Sequence, residues 1–144
     1  MSKEKLQLTG VLLTGGESRR MGRNKAFLEI GGKPLLERSL EVLNNVCSEV
    51  LISSKETDLY EGYGYKVIPD IIKGKGPLGG LFSVLQQANY EHLFLVACDM
   101  PLLNEKAIAY TYRELGEYDA VVPYVLGRSH PLHACYHQRI LPLV

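Results

Sequence analysis

The sequence predicts an α/β protein with a three-layer, mostly parallel, Rossmann-like sheet. Short apolar runs of strand length alternate with stretches whose apolar residues repeat at helical spacing, in the order β-α-β-β-α-β-α-β-β. The run from Leu93 to Ala97 is continuously apolar, which is typical of a strand whose sheet is covered on both faces. Strands that alternate with helices in this way form parallel sheets between two helical layers.

The first half of the chain contains three predicted strands, with one helix between the first two. The first strand is Val11 to Leu13, and the helix that follows has Pro34 in its first turn, where proline is favoured. The second and third strands are residues 50–52 and 65–68. The helix places three leucines on one face, at positions i, i+4 and i+7: Leu36, Leu40 and Leu43.

The second half contains two predicted helices and three strands. Pro77 opens the first of these helices, and Asn104 caps the second because its side chain can accept a hydrogen bond from a backbone N–H group of the first turn. The strand 93–97 lies between them, and strands at residues 120–125 and 132–136 follow. The residues predicted to face inward from the two helices are Leu78, Leu81, Phe82, Leu85, Ala88, Ile108 and Leu115.

Composition indicates a single domain over residues 1–144. With 46% hydrophobic residues, a chain of this length can bury a core. The 16 basic residues balance the 16 acidic ones, and this net charge of zero argues against a nucleic-acid partner. No apolar run reaches about 18 residues and no signal-peptide pattern is visible, so we expect no membrane span and a cytoplasmic location. The cysteines are odd in number and widely spaced, which predicts free thiols at Cys47, Cys98 and Cys135.

Residues 13–25 form a glycine-rich, basic segment directly after the first predicted strand. The segment therefore leaves the carboxyl end of a strand, where open α/β sheets bind ligands. Gly15 and Gly16 allow backbone N–H groups to approach an anion closely, and the five residues between Gly16 and Gly22 exclude a Walker A loop. A phosphate-rich ligand is predicted, with a solvated basic loop as the alternative. The cationic residues of the segment are Arg19, Arg20, Arg23 and Lys25.

Asp99 is a candidate magnesium ligand, because it lies at the end of the apolar strand that precedes Pro101. A carboxylate at this position is costly unless it is solvated or binds a cation, and Mg²⁺ needs only one or two carboxylates in addition to substrate phosphates and water. A turn-capping role for Asp99 is the alternative. His133 and His137 share a face of the last predicted strand, but no carboxylate lies near them in the sequence to complete a metal-ligand set.

A second glycine-rich segment, residues 74–80, matches the spacing of the dinucleotide-binding fingerprint. We reject that interpretation because residues 69–73 separate the first glycine from the preceding strand, and because Pro77 removes a backbone N–H group from the turn. The NAD interpretation also assigns no role to the basic segment 19–25. A simple glycine-rich loop before a helix is the remaining alternative to a nucleotide-binding turn.

Together these segments resemble the molybdenum cofactor guanylyltransferases, which are nucleotidyltransferases of the sugar-nucleotide type. The resemblance extends over essentially the whole chain, with its motifs in the family's order. Thr14 is the visible departure in the first motif, because the family usually has alanine there. The matching residues are Leu13 to Gly16, Arg20 to Gly22, Asn24 and Lys25, Gly76 to Gly80, and Asp99 to Pro101.

The resemblance implies the nucleotide-diphospho-sugar transferase fold and transfer of GMP from GTP to the terminal phosphate of molybdenum-carrying molybdopterin, with release of pyrophosphate. It implies that Asp99 binds Mg²⁺, that Lys25 stabilises charge on the α-phosphate and that Arg20 steadies the pyrophosphate. It further implies that Asp70 contacts the nucleoside and that Ser54 replaces a family asparagine. The nucleotide-binding residues it implies are Leu13, Thr14, Gly15, Gly16, Lys25, Ser54, Asp70, Gly76, Pro77, Leu78, Gly79 and Asp99.

Alternatives remain for substrate and for class. A related enzyme transfers CMP to molybdopterin or a nucleotide to a sugar phosphate, and a non-catalytic nucleotide-binding module belongs to a different class. GTP and molybdopterin are the expected substrates, and molybdopterin-inserting proteins or apo-molybdoenzymes are candidate protein partners. The family continues beyond the last residue of this chain, so we expect the chain to be truncated at its carboxyl terminus.

Overall fold

A computed structural model describes residues 5–14, 29–30, 33–54, 61–69, 84–97, 103–122, 124–125, 127–129 and 133–139. These ranges contain ten strands, and most of the longer strands belong to one central sheet. The strands in these ranges are β1 (Leu6–Leu13), β2 (Glu29–Ile30), β3 (Lys33–Pro34), β4 (Cys47–Ser54), β5 (Lys66–Pro69), β6 (His92–Ala97), β7 (Ala120–Val121), β8 (Tyr124–Val125), β9 (Arg128–Ser129) and β10 (His133–His137). The α-helices in these ranges are α1 (Leu35–Val46), α2 (residues 84–87) and α3 (Glu105–Leu115).

Six of the described strands form the central sheet, in the order β5-β4-β1-β6-β10-β7. Strands β5, β4, β1 and β6 are mutually parallel, and β10 is antiparallel to both of its neighbours. Because β10 alone is reversed in this sheet, β7 runs in the same direction as β6. The mostly parallel α/β class predicted from the sequence is therefore confirmed.

Helices cover both faces of the sheet. Because successive side chains of a strand point to opposite faces, the sheet separates two hydrophobic cores. Leu8 and Leu12 of β1 face the core that includes residues of α1 and α3, whereas Val11 and Leu13 face the core that includes residues of α2. Strand β6 alternates in the same way. This arrangement explains why the 93–97 run is apolar throughout, as expected for a three-layer sandwich.

The start of α1 differs from the sequence-based prediction. Pro34 is not in the first turn of the helix but in β3, where it pairs with Glu29, and the helix begins at Leu35. The fixed φ of proline suits an extended strand position as well as a helix start, so proline alone does not distinguish the two. The predicted inward face of the helix is confirmed, because Leu36, Leu40 and Leu43 are all buried.

Helix α3 begins and packs as predicted. The Asn104 side chain accepts a hydrogen bond from the backbone N–H of Ala107, at 2.8 Å, and Ile108 and Leu115 are buried. The single strand predicted at residues 120–125 is wrong, because β7 and β8 are separate two-residue strands that belong to different sheets. No helix in the described ranges has the length and apolar character needed to span a bilayer.

Candidate active site

The carboxyl ends of four parallel strands lie side by side at one edge of the sheet, which we call the carboxyl edge. Leu13, at the end of β1, pairs with Ser53 on β4 and with Ala97 on β6. Ser54, at the end of β4, pairs with Pro69 at the end of β5. The segments that leave these four strands therefore start from neighbouring points.

The order of the strands reverses at β1. The chain passes from β1 to β4 and then to β5 on one side of the sheet, and afterwards places β6 on the other side of β1. Open α/β sheets bind ligands outside the carboxyl ends of their strands at such a switch point, because the connecting segments on its two sides diverge and leave a crevice. Leu13 and Thr14 lie at this point.

Thr14 is fixed to β4 by two hydrogen bonds that share one acceptor. Its backbone N–H and its side-chain hydroxyl both donate to the carbonyl oxygen of Ser53, each at 3.0 Å. The Thr14 side chain is half-buried. The first residue after β1 is thus held by its backbone and by its side chain.

Ser53 and Ser54 form the β4 part of the carboxyl edge. Both side chains are buried, at 3% and 5% exposure. The structure therefore places Ser54, one of the predicted nucleotide-binding residues, at the same edge as Leu13 and Thr14. The sequence-based analysis missed the role of Ser53, whose carbonyl oxygen holds Thr14. Only the register between β1 and β4 reveals it.

The sequence model of the family described as MobA-like NTP transferase domain matches residues 10–144. The chain belongs to this family. The match includes every residue that we nominated for catalysis or nucleotide binding, and the fold agrees with it. The carboxyl edge of this MobA-like NTP transferase domain is therefore the candidate nucleotide site.

Individual relatives agree with the family assignment. A protein of Pelotomaculum thermopropionicum named "Probable molybdenum cofactor guanylyltransferase" is 40% identical over 131 residues, which cover 91% of this chain and 64% of the relative. A Geobacillus protein of the same name is 34% identical over 140 residues, which cover 92% of this chain and 71% of the relative. The chain thus spans about two thirds of the length of these curated relatives.

A solved structure shows the same fold. The crystal structure of molybdopterin-guanine dinucleotide biosynthesis protein A from Archaeoglobus fulgidus superimposes with a TM-score of 0.78 and 24% identity, covering 94% of this chain and 70% of that one. The nucleotidyltransferase type of α/β fold, which the sequence motifs implied, is therefore confirmed for this MobA-like domain.

The other predicted site residues lie outside the described ranges, but several directly follow described strand ends in the sequence. Gly15 follows Thr14, Asp70 follows Pro69, and Asp99 comes two residues after Ala97. The described parts of the chain contain no group of three or more residues that could hold a metal ion. The predicted residues outside the described ranges are Gly15, Gly16, Arg20, Lys25, Asp70, Gly76, Pro77, Leu78, Gly79 and Asp99.

A histidine pair lies at the opposite edge of the sheet, between the start of β6 and the end of β10. The ring centroids of His92 and His137 are 5.0 Å apart, and Nε2 of His137 is 3.8 Å from a carboxylate oxygen of Glu91. The fold thus supplies a carboxylate that the sequence around His137 lacks. Nδ1 of His137 accepts a hydrogen bond from the backbone N–H of Arg139, at 2.9 Å, which indicates a structural role.

Proposed function

We propose that this chain transfers GMP from GTP to the terminal phosphate of molybdenum-carrying molybdopterin and releases pyrophosphate. The observation that carries the proposal is the family match over residues 10–144, together with curated relatives whose names state this guanylyltransferase activity. The convergence of four strand ends at a topological switch point supports it, because the nominated motifs continue from that edge.

Asp99 is the residue that we assign to Mg²⁺. Its carboxylate is a ligand type that Mg²⁺ prefers. Asp99 follows the end of β6 by two residues in the sequence, so it belongs to the segment that leaves the carboxyl edge. When bound, Mg²⁺ neutralises charge on phosphate oxygens and helps to orient the triphosphate. The proposed role of the Asp99 carboxylate is to hold this ion, and Asp99 follows the end of β6 in the sequence.

Lys25 and Arg20 are assigned to the phosphates. Lys25 stabilises the charge that develops on the α-phosphate, and Arg20 stabilises the departing pyrophosphate. The attacking group is itself a phosphate that is ionised at neutral pH, so the reaction requires no general base from the protein. Catalysis then consists of positioning and of charge neutralisation.

The base and ribose are assigned to the β4 and β5 side of the edge. Asp70 follows β5 directly and is proposed to contact the nucleoside, and Ser54 lies on the neighbouring strand. Backbone groups of residues 76–80 are proposed to read the guanine edge, because glycines allow a ring to approach the backbone closely. Adenine would leave these groups without partners.

A substrate panel tests the proposal. Pyrophosphate release is measured with purified protein, molybdopterin and each of GTP, ATP, CTP and UTP. We expect GTP to be used at least about 100-fold more efficiently than ATP, because buried hydrogen-bonding groups reject the wrong base strongly. Preference for CTP would favour a cytidylyltransferase. Nucleotide binding without pyrophosphate release would favour a non-catalytic module.

The Asp99→Asn variant tests the metal assignment. We expect turnover to fall below detection at ordinary magnesium concentrations while the circular dichroism spectrum stays unchanged, because the substitution removes a charge and conserves the shape. Asp119→Asn is the matched control, since Asp119 precedes β7 at the opposite edge and pairs there with Arg139. Normal turnover in Asp99→Asn would refute the assignment.

A further inference from the structure

The hydroxyl of Thr14 has a geometric role that the family motif does not predict. It donates to the Ser53 carbonyl oxygen at 3.0 Å, and the backbone N–H of Thr14 donates to the same oxygen at 3.0 Å. A carbonyl oxygen has two lone pairs, so it can accept both bonds. The backbone bond alone continues the β1–β4 pairing by one residue, whereas the hydroxyl bond also fixes the side-chain torsion of Thr14.

We propose that Thr14 is a positioning residue whose hydroxyl fixes the backbone at the end of β1, from which the glycine segment 15–25 continues in the sequence, and thereby raises the affinity for the nucleoside triphosphate. The inference rests on the proposed function, since it concerns the same site. Holding a binding segment in place before the ligand arrives lowers the ordering cost that binding otherwise pays.

In this structure the hydroxyl proton of Thr14 is used in a bond within the protein and not offered to a ligand. Ser53 offers a carbonyl oxygen, which only accepts, so the single hydroxyl proton of Thr14 is committed to it. A phosphate oxygen at neutral pH also needs donors. The Thr14 side chain therefore acts on the nucleotide through the backbone that it holds.

Loss of the hydroxyl should affect this segment more than the fold. In a Thr14→Val variant the shape of the side chain is kept, and the Ser53 carbonyl oxygen still accepts the backbone N–H of Thr14. No buried polar group is then left without a partner at this point, which is the main reason that removal of a hydrogen bond destabilises a protein. The variant should unfold at nearly the wild-type urea concentration.

The test compares Thr14→Val with Thr14→Ser and with a control in the same strand. Thr9→Val is the control, because the Thr9 hydroxyl also donates a hydrogen bond to β4, to the Glu49 carboxylate at 2.8 Å. Thr9 lies in β1, five residues before Thr14, which places it about 17 Å from the carboxyl edge. Two quantities are measured: amide hydrogen exchange at Gly15 and Gly16 in the nucleotide-free protein, and KM and kcat for GTP.

We expect Thr14→Val to raise KM for GTP about 3- to 10-fold, because this is the factor that the loss of one neutral hydrogen bond produces. We expect kcat to stay within about twofold of the wild-type value. We expect Gly15 and Gly16 to exchange at least about threefold faster than in the wild type. Thr14→Ser should restore both quantities, and Thr9→Val should change neither.

The outcomes separate this inference from the proposed function. Unchanged exchange and unchanged KM in Thr14→Val would overturn the inference while leaving the proposed function intact. A wild-type protein that does not use GTP would overturn the proposed function, whereas the exchange measurement in the nucleotide-free protein would still decide whether Thr14 holds the segment. If Thr14→Val does not fold, Thr14→Ala provides the same comparison.

Discussion

Gly10 lies in the interior of β1, where a glycine is normally unfavourable. Its backbone needs no unusual conformation there. The reason is the close approach of α1 and of the first residue of β4, because a Cβ atom at Gly10 would lie 3.0 Å from Cδ2 of Leu43 in α1 and 2.9 Å from Sγ of Cys47 in β4. The absence of a side chain at this position therefore sets how closely the helix packs on the centre of the sheet.

Gly10→Ala is expected to lower the free energy of unfolding by about 1 to 3 kcal/mol, because an overpacked core must shift side chains or backbone. Urea denaturation measures the effect. Gly62→Ala is the control, since no atom lies within 4 Å of its added Cβ and its φ is not positive. Equal stability of Gly10→Ala and wild type would show that α1 can move away without cost.

Lys25 and Arg20 carry the residue-scale prediction for catalysis. Lys25→Ala and Arg20→Ala are each expected to lower kcat at least about tenfold with a smaller change in the affinity for GTP, because charge develops on the phosphates mainly in the transition state. Steady-state kinetics with GTP and molybdopterin measure both constants. The exposed Lys66, at the amino end of β5, provides the control variant Lys66→Ala.

A variant that weakened GTP binding with kcat unchanged would instead make that residue an anchor for the ground state.

Strand β10 is fixed to three neighbouring elements by the residues at its carboxyl end. The backbone N–H of His137 donates to the carbonyl of Asp119, that of Gln138 to the carbonyl of Glu91, and the Gln138 side chain to the carbonyl of Leu85. Arg139 pairs with Asp119 and also donates to the carbonyl of Glu117. These bonds connect the reversed strand to β6, to α2 and to the turn after α3.

His92 makes this junction sensitive to acid. Burial, and then the nearby His137, lower the pKa of His92 below its ordinary value of 6.5. Glu91 partly opposes this shift, Arg139 adds to it, and the ring of Tyr112 packs edge-on against His92. The unfolded chain therefore binds a proton at His92 more readily than the folded one does.

The free energy of unfolding should consequently decrease as the pH falls from about 6.5, the ordinary histidine pKa, through the lower pKa of His92 in the folded state. The stability that neutral His92 contributes is fully present above about pH 6.5. Urea midpoints between pH 5 and pH 8 measure the slope. His92→Gln cannot take up the proton and should show a shallower slope than wild type. Identical slopes would mean that His92 does not control this dependence.

Local patterns predicted those elements whose packing follows from their own residues. The leucine face of α1, the Asn104 cap of α3 and the apolar strand β6 all have a periodicity or a capping residue within a few positions. The pairs β2–β3 and β8–β9 were missed, because strands of two residues are too short to show alternation. Pro34 was misplaced because its fixed φ suits both a strand end and a helix start.

The candidate site was predictable only as far as local motifs reach. The motif around Leu13 and Thr14 predicted a segment that leaves the carboxyl end of a strand, and the structure places both residues at the carboxyl edge. The contribution of Ser53 was not predictable, because it depends on a register between residues 39 positions apart in the sequence. Pairing of this kind is decided by the whole sheet rather than by either strand.

At the scale of the whole molecule, the core on the α1 and α3 face of the sheet shields both described cysteines. Cys47 and Cys135 are buried and free. Burial raises the pKa of both thiols to about 12, and for Cys47 the nearby Cys135 adds to the effect. Only a thiolate reacts readily with electrophilic labels, so both groups should be inert at neutral pH while the protein is folded.

Thiol labelling in a Cys98→Ser background tests this expectation. We expect Cys47 and Cys135 to react with a disulfide reagent only on the timescale of global unfolding, and to become reactive together at the urea midpoint. Mass spectrometry after timed labelling distinguishes the two sites. Labelling of Cys135 well before Cys47 would show that β10 separates from the sheet while the rest stays folded.

Strand β10 lies between β6 and β7 in the central sheet, and this position affects the order in which the strands can pair. The four strands that form the carboxyl edge are all present once the chain has reached residue 97. In contrast, β10 is the one described strand with which β7 pairs in the central sheet, and β10 lies later in the sequence. During synthesis on a ribosome, the half of the sheet that bears the carboxyl edge can therefore form first, whereas β7 cannot pair until residues 133–137 have emerged.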